Sequence, residues 1–342
     1  MKLILSTSNI LGEGFSIHRS TKSKSNAELV NGLRANFEAH SAVPLNLNGD
    51  TDGAVKPVRP PYSSWTRRRR DEKSGEEVLE VPALSFGGSD ETAGEGLQEE
   101  REAYDITLKL FYLPHASASP TAREEQTREA LDLVLKELRM PSVDLLIVSF
   151  PGIYFDEEEN CPDKLSTRGP VEADPESLES QIATWKALEK LYDEGLVKKL
   201  GIAEFGHDRL QEFWERARVK PSVDQINLRD CCSVPKNLMN LAKSRNVELL
   251  VHNDSPNILP RGTVRELLGA GEQGAGILAD PMKVGDKRKS LHDEEIQNGN
   301  VADQGRLRGD ITPQWVIKYT AVVKNRGVVE SKGYFALAVL SN

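Results

Sequence analysis

The stretch Trp185-Lys186-Ala187-Leu188-Glu189-Lys190-Leu191-Tyr192-Asp193-Glu194-Gly195-Leu196-Val197-Lys198-Lys199-Leu200-Gly201-Ile202 joins a helix to a strand through a single glycine. Leu188 and Leu191 are three apart and share one helix face. Gly195 supplies the left-handed residue that ends such a helix, and a short apolar run follows. The same unit recurs outward from it. Strands are predicted at Tyr104–Tyr112, Val143–Phe150, Val197–Ala203, Val223–Leu228, Val247–His252 and Gly327–Glu330. Helical spacing covers Ala122–Arg139, Glu179–Glu194, Asp208–Arg218, Lys236–Arg245 and Pro313–Lys324. Two weaker strands, 3–9 and 78–84, flank a helix over 26–37 whose Leu29, Leu33 and Phe37 fall on one face. Strands alternating with helices imply β/α units around a parallel sheet. Eight units closed as a (β/α)8 barrel take about 250 residues, so the expectation is a single α/β domain over 1–342 with flexible polar insertions at 41–102, 153–174 and 269–309.

Lys and Arg number 44 against 53 Asp and Glu, a net charge of −9. That argues against a general nucleic-acid binder, which needs a basic surplus for phosphates. No apolar run is long enough to span a membrane, and the opening Met1–Asn9 turns polar too soon for a signal peptide, so a cytoplasmic protein is expected. Three cysteines, Cys161, Cys231 and Cys232, make neither a disulfide framework nor a zinc cage.

Gly269–Gly274 matches G-x-G-x-x-G, but it follows the short helical pattern Val264–Leu268 rather than a strand, so it is read as a loop. Arg67-Arg68-Arg69-Arg70 lies beside acidic residues and is read as a solvated loop in preference to a polyanion patch. The adjacent Cys231 and Cys232 leave two readings open, burial at a strand end or a redox-sensing thiol pair that meets a partner. His252-Asn253-Asp254 is read as a hydrogen-bonded loop cap in preference to acid–base machinery. Trp185, Trp214 and Trp315 are most simply helix packing onto the barrel, and an exposed member would mark a partner surface.

Trp185–Ile202, Lys220–Asn227 and Val143–Pro151 closely resemble the aldo-keto reductases. The resemblance implies a reductase-type barrel, a nicotinamide cofactor and a tyrosine acid assisted by lysine, aspartate and histidine. Lys109 stands at the lysine position. The histidine position is Ser149, and the aspartate–tyrosine pair has no counterpart before Tyr104. The Ser-Asn pair that holds the carboxamide reads Ala203-Glu204. Gln225 and Lys332 match cofactor positions, while the phosphate arginine position is Ala338. What the resemblance leaves is a vestigial NADP(H) or anion pocket of Lys109, Gln225 and Lys332, with no catalytic residue and no metal site.

Val219–Pro235, Leu249–Asp254 and Trp315–Tyr334 resemble more closely the regulatory (modifier) subunits of glutamate–cysteine ligase. That resemblance implies a non-catalytic chain that pairs with the ligase's catalytic subunit as a heterodimer, improves glutamate use and relieves glutathione feedback. No cofactor is required for that role. The alternative is a working NADPH-dependent aldo-keto reductase.

Overall fold

The computed structural model describes residues 1–11, 26–41, 60–71, 74–86, 96–155, 173–228, 233–255, 257–271, 273–279 and 305–341. Ten strands occur among them: β1 (Lys2–Ser6), β2 (Arg67–Arg70), β3 (Glu77–Val81), β4 (Tyr104–Tyr112), β5 (Val143–Ser149), β6 (Val197–Ala203), β7 (Val223–Asn227), β8 (Glu248–His252), β9 (Asp310–Val323) and β10 (Val328–Ser341). The helices are α1 (Ala27–Ser41), α2 (Pro120–Leu138), α3 (Leu178–Asp193), α4 (His207–Arg216), α5 (Lys236–Arg245) and α6 (Arg261–Leu268). One mixed sheet has the order β2-β3-β1-β10-β9-β4-β5-β6-β7-β8. Strands β4 to β8 are all parallel, with α2, α3, α4 and α5 between them, as the β/α reading expects.

Local chemistry sets these elements. Ser119 caps α2 and Ser177 caps α3, each accepting a backbone N–H of the first turn. Gly195 adopts φ +75° just past α3, the left-handed position the sequence marks out. Side chains alternate across the strands. On the outer face Leu108, Leu110, Leu146, Val148 and Ile202 bury against α2, α3 and α4 through Leu131, Trp185 and Phe213. On the inner face Leu3, Leu5, Phe111 and Val316 bury against α1 and α6 through Leu33, Phe37 and Leu267.

The C-terminal segment differs from expectation. Pro313–Lys324, read as helical, lies mostly in β9, which forms a long antiparallel hairpin with β10 and also pairs antiparallel with β4. Ile311, Pro313, Trp315, Ile317, Tyr319, Ala321 and Val323 are all buried, a period of two along the segment. With Val316, Ile317, Thr320, Val322 and Val323 β-branched, the strand wins. Arg67–Arg70, expected as a loop, is the edge strand β2. Arg67 and Arg69 both bond the buried Glu80, and Arg68 bonds Glu77 and the Tyr62 hydroxyl. The glycine-rich 269–276 follows α6 and folds back on it, with Ala275 N–H donating to Leu267 O and Ile277 N–H to Leu268 O. It lacks the strand–turn–helix setting of a dinucleotide fingerprint, as expected.

Gly195→Ala forces a left-handed alanine into open space and should cost about 1 kcal/mol. Gly333→Ala puts a Cβ 2.4 Å from the Ser8 carbonyl oxygen and from the Tyr319 hydroxyl, so it should destabilise by considerably more. Urea denaturation of the two variants checks the order.

Candidate site at the strand mouth

Lys109 on β4 and Lys318 on β9 are direct cross-strand partners, so both ammonium groups rise from the inner face. Like charges so placed repel. Asp254, two residues past β8, separates them: Oδ2 is 3.2 Å from Lys109 Nζ and Oδ1 is 3.5 Å from Lys318 Nζ. Four strand steps separate β4 from β8, about 19 Å in a flat sheet. A contact this short therefore requires the parallel run to curl until its last strand returns over β4.

His252, the end of β8, completes the junction. Its Nδ1 accepts from Lys109 Nζ (3.2 Å) and from the Asp254 N–H (3.1 Å), which places the ring proton on Nε2. That proton points to the Gln225 carbonyl oxygen at 3.1 Å, and Glu204 Oε1 lies 2.7 Å from Nε2, buried and without a hydrogen-bond partner. Glu204 follows β6 directly with φ +69°, and its Oε2 accepts the Phe155 N–H (3.0 Å). Fully buried Asp224 accepts the Phe205 N–H through Oδ1 (3.3 Å), and its Oδ2 has no hydrogen-bond partner.

The energetics follow from burial. Desolvation holds the Asp224 carboxyl well above the usual carboxylate range, and nearby Glu204 adds to this. Desolvation pulls the Lys109 ammonium below its ordinary value against the opposing attraction of Asp254 and Glu204. For Asp254 burial works upward, but Lys109, Lys318 and His252 prevail and bring it down to about 2.

The anticipated site residues are only partly brought together. Lys109 and Gln225 share this junction, and the Gln225 Oε1 is buried without a partner. Lys332 lies on β10 and bonds Glu28 of α1 (2.6 Å), whose other oxygen accepts the Tyr334 hydroxyl (2.5 Å). Lys318 bridges the two groups, with its Nζ 5.7 Å from the Tyr334 ring centre. Ser149 is buried at the end of β5. Cys161, Cys231 and Cys232 lie outside the described residues. The His252 ring accepts the Asp254 N–H, a local bond, but the Asp254 carboxylate reaches Lys109 and Lys318 rather than its own turn backbone. Sequence reasoning missed Lys318, because its strand was read as a helix, and Glu28 and Asp224, whose roles depend on tertiary contacts; it found Glu204 by position but not its bond to Phe155.

The Aldo/keto reductase family model matches residues 83–254, half of the 342. The chain belongs to the aldo/keto reductase family. Its α/β sheet of many strands is consistent with the family's (β/α)8 barrel. It is similar to the glutamate–cysteine ligase regulatory subunit of Mus musculus, 27% identical over 240 residues, or 70% of this chain and 68% of that one. The Homo sapiens regulatory subunit is 26% identical over 240 residues with the same coverage. Among solved structures, the aldose reductase of Schistosoma japonicum is 28% identical over 44% of this chain and 46% of that one, with a TM-score of 0.32.

The family implies NADP(H), and the residues in place do not fit it. Where amide donors would hold the carboxamide, Glu204 presents a carboxylate, with Oε2 accepting the Phe155 N–H and Oε1 lying 2.7 Å from His252 Nε2. The ammonium of Lys332 is taken by Glu28. Among the described residues, the buried side-chain atoms left without partners here, Glu204 Oε1, Asp224 Oδ2 and Gln225 Oε1, are all oxygens, which suit no phosphate. Among the described residues no three His, Cys, Asp or Glu side chains could hold a metal.

Two pH effects follow. Asp254 has a folded pKa below its unfolded value of 3.8, so its stabilisation is full above about pH 4 and is lost as pH falls toward 2. Asp254→Asn should cost about 3 kcal/mol at pH 7 by leaving two lysines facing each other, and should remove that acid-limb loss. Asp224, raised when folded, contributes most below its unfolded pKa and loses this as pH rises. Asp224→Asn should therefore raise the melting temperature relative to wild type more at pH 9 than at pH 5. Thermal melts across pH check both.

Proposed function

We propose that the chain is a non-catalytic regulatory subunit of glutamate–cysteine ligase, acting as a cytoplasmic heterodimer with the catalytic subunit. The observation that carries the reading is the strand mouth itself: the groups a reductase would turn toward substrate and cofactor are bonded to one another. Lys109 is held by Asp254 and His252, and Lys332 by Glu28. Lys109, Gln225 and Lys332 are read as remnants of a cofactor site, with Lys109 and Lys332 now held in ion pairs. The likeness to regulatory subunits over 70% of the chain supports the same reading.

Regulation in this form needs only binding energy. A subunit that binds the competent conformation of its partner better than the glutathione-inhibited one shifts the equilibrium between them, and about 1.4 kcal/mol shifts it tenfold. Membership of a reductase family is the observation that favours the alternative, an NADPH-dependent reductase. It is opposed by Ser149 at the histidine position and by the closed ion pairs.

Added to the catalytic subunit, the chain should raise γ-glutamylcysteine formation at sub-saturating glutamate, weaken glutathione inhibition, and saturate at one chain per catalytic subunit. The isolated chain should reduce no aldehyde with NADPH above background. Unchanged ligase kinetics together with separate elution of the two proteins would sink the proposal, and so would aldehyde turnover that Lys109→Met abolishes.

A further inference from the structure

The two edges of the sheet are built differently. At one end, β2 presents four arginines, a charged edge of the kind that discourages pairing with another chain. At the other end, β8 reads Glu248-Leu249-Leu250-Val251-His252 and among the described residues pairs only with β7. It carries neither lysine nor proline. The Glu248 N–H donates to the Ser222 carbonyl oxygen (2.9 Å). In a parallel ladder bonding residues alternate, so Leu250 and His252 also face β7, while the N–H and C=O groups of Leu249 and Val251 face outward. Val251 is 60% exposed, and Leu249 is half-buried.

Beside this edge, α5 turns one face to solvent. Lys236, Met239, Asn240 and Lys243 recur at i, i+3, i+4 and i+7, and all are exposed, Met239 to 43%. The helix contains no acidic residue, and among the described residues neither Lys236 nor Lys243 has a salt bridge. Arg245 of the same helix stacks on Trp214 at 4.2 Å, with Lys220 on that ring at 4.3 Å. An apolar strip flanked by exposed cations that form no ion pair among the described residues stands out on a chain of net charge −9.

We propose that β8 and the exposed face of α5 form the docking surface for the catalytic subunit, which lays an extended, acid-rich segment along β8 as an added strand. The outward backbone groups of Leu249 and Val251 fix the occupant as a strand. Val251 and Leu249 select alternate apolar side chains in it, and Lys236 and Lys243 select flanking carboxylates. This assignment rests on the regulatory reading above and names the face of the chain that performs it.

The test measures affinity for the purified catalytic subunit by titration at low and high salt, with hydrogen exchange on the complex. Lys236→Glu/Lys243→Glu changes only exposed side chains. It should weaken binding at least tenfold at low salt and less at high salt. Val251→Pro removes an outward N–H and no bond to β7, and should weaken binding similarly at either salt, with a circular dichroism spectrum like wild type. The amides of Leu249 and Val251 should gain protection in the wild-type complex. Wild-type affinity of the charge-reversed variant, with no added protection at Leu249 and Val251, would overturn the assigned surface and leave the regulatory reading intact. A wild-type chain that does not bind the catalytic subunit overturns the regulatory reading instead. Self-association of the chain that Val251→Pro abolishes while the mixed complex persists would assign β8 to a second copy and overturn the proposal.

Discussion

A single carboxylate resolves the central electrostatic conflict of this fold. Pairing β4 with β9 in the observed register sets Lys109 opposite Lys318, an arrangement that destabilises the sheet without a counter-ion. Asp254 supplies one oxygen to each. Because Asp254 follows β8, its position depends on the curl of the whole parallel run, and the hairpin register and the curvature support one another through this contact. Breaking a buried pair costs far more than its formation contributes, since the orphaned charge remains. The junction is therefore better understood as a constraint on register than as a large net source of stability.

Much of the architecture could be read from the sequence because its signals were local. The β/α run from β4 to α5 was legible in alternating apolar runs and amphipathic helices, and Gly195 marked its own turn. The hairpin was not, although its parity was in plain view: every odd position from Ile311 to Val323 is buried. A tryptophan and a tyrosine four residues apart satisfy a helical period and a strand period alike, and β-branching should have decided between them.

The site was less legible, because charge neutralisation is a property of the folded chain. Lys109 and Lys332 could be found by their positions, but nothing near either one announces its counter-ion. Glu28 is 304 residues from Lys332, and Asp254 is 145 from Lys109. Glu204 showed its sign but not its use. A left-handed glutamate at the end of a buried strand becomes intelligible only once Phe155 and His252 lie on either side of it.

Strand β1 lies between β3 and β10, with Lys2 opposite Val339 and Ser6 opposite Phe335. Its inner neighbour, β10, starts only at Val328 and is therefore made long after β1. While synthesis proceeds, the β4–β8 run can assemble from nearby contacts, but residues 2–6 expose one apolar edge for more than three hundred codons. Such non-local closure is slow, and it leaves an unpaired, hydrophobic strand open to aggregation until the hairpin arrives. The supply of this protein is thus tied to the protection β1 receives before β10 is made, and synonymous changes that slow translation between the two should lower soluble yield without altering the finished molecule.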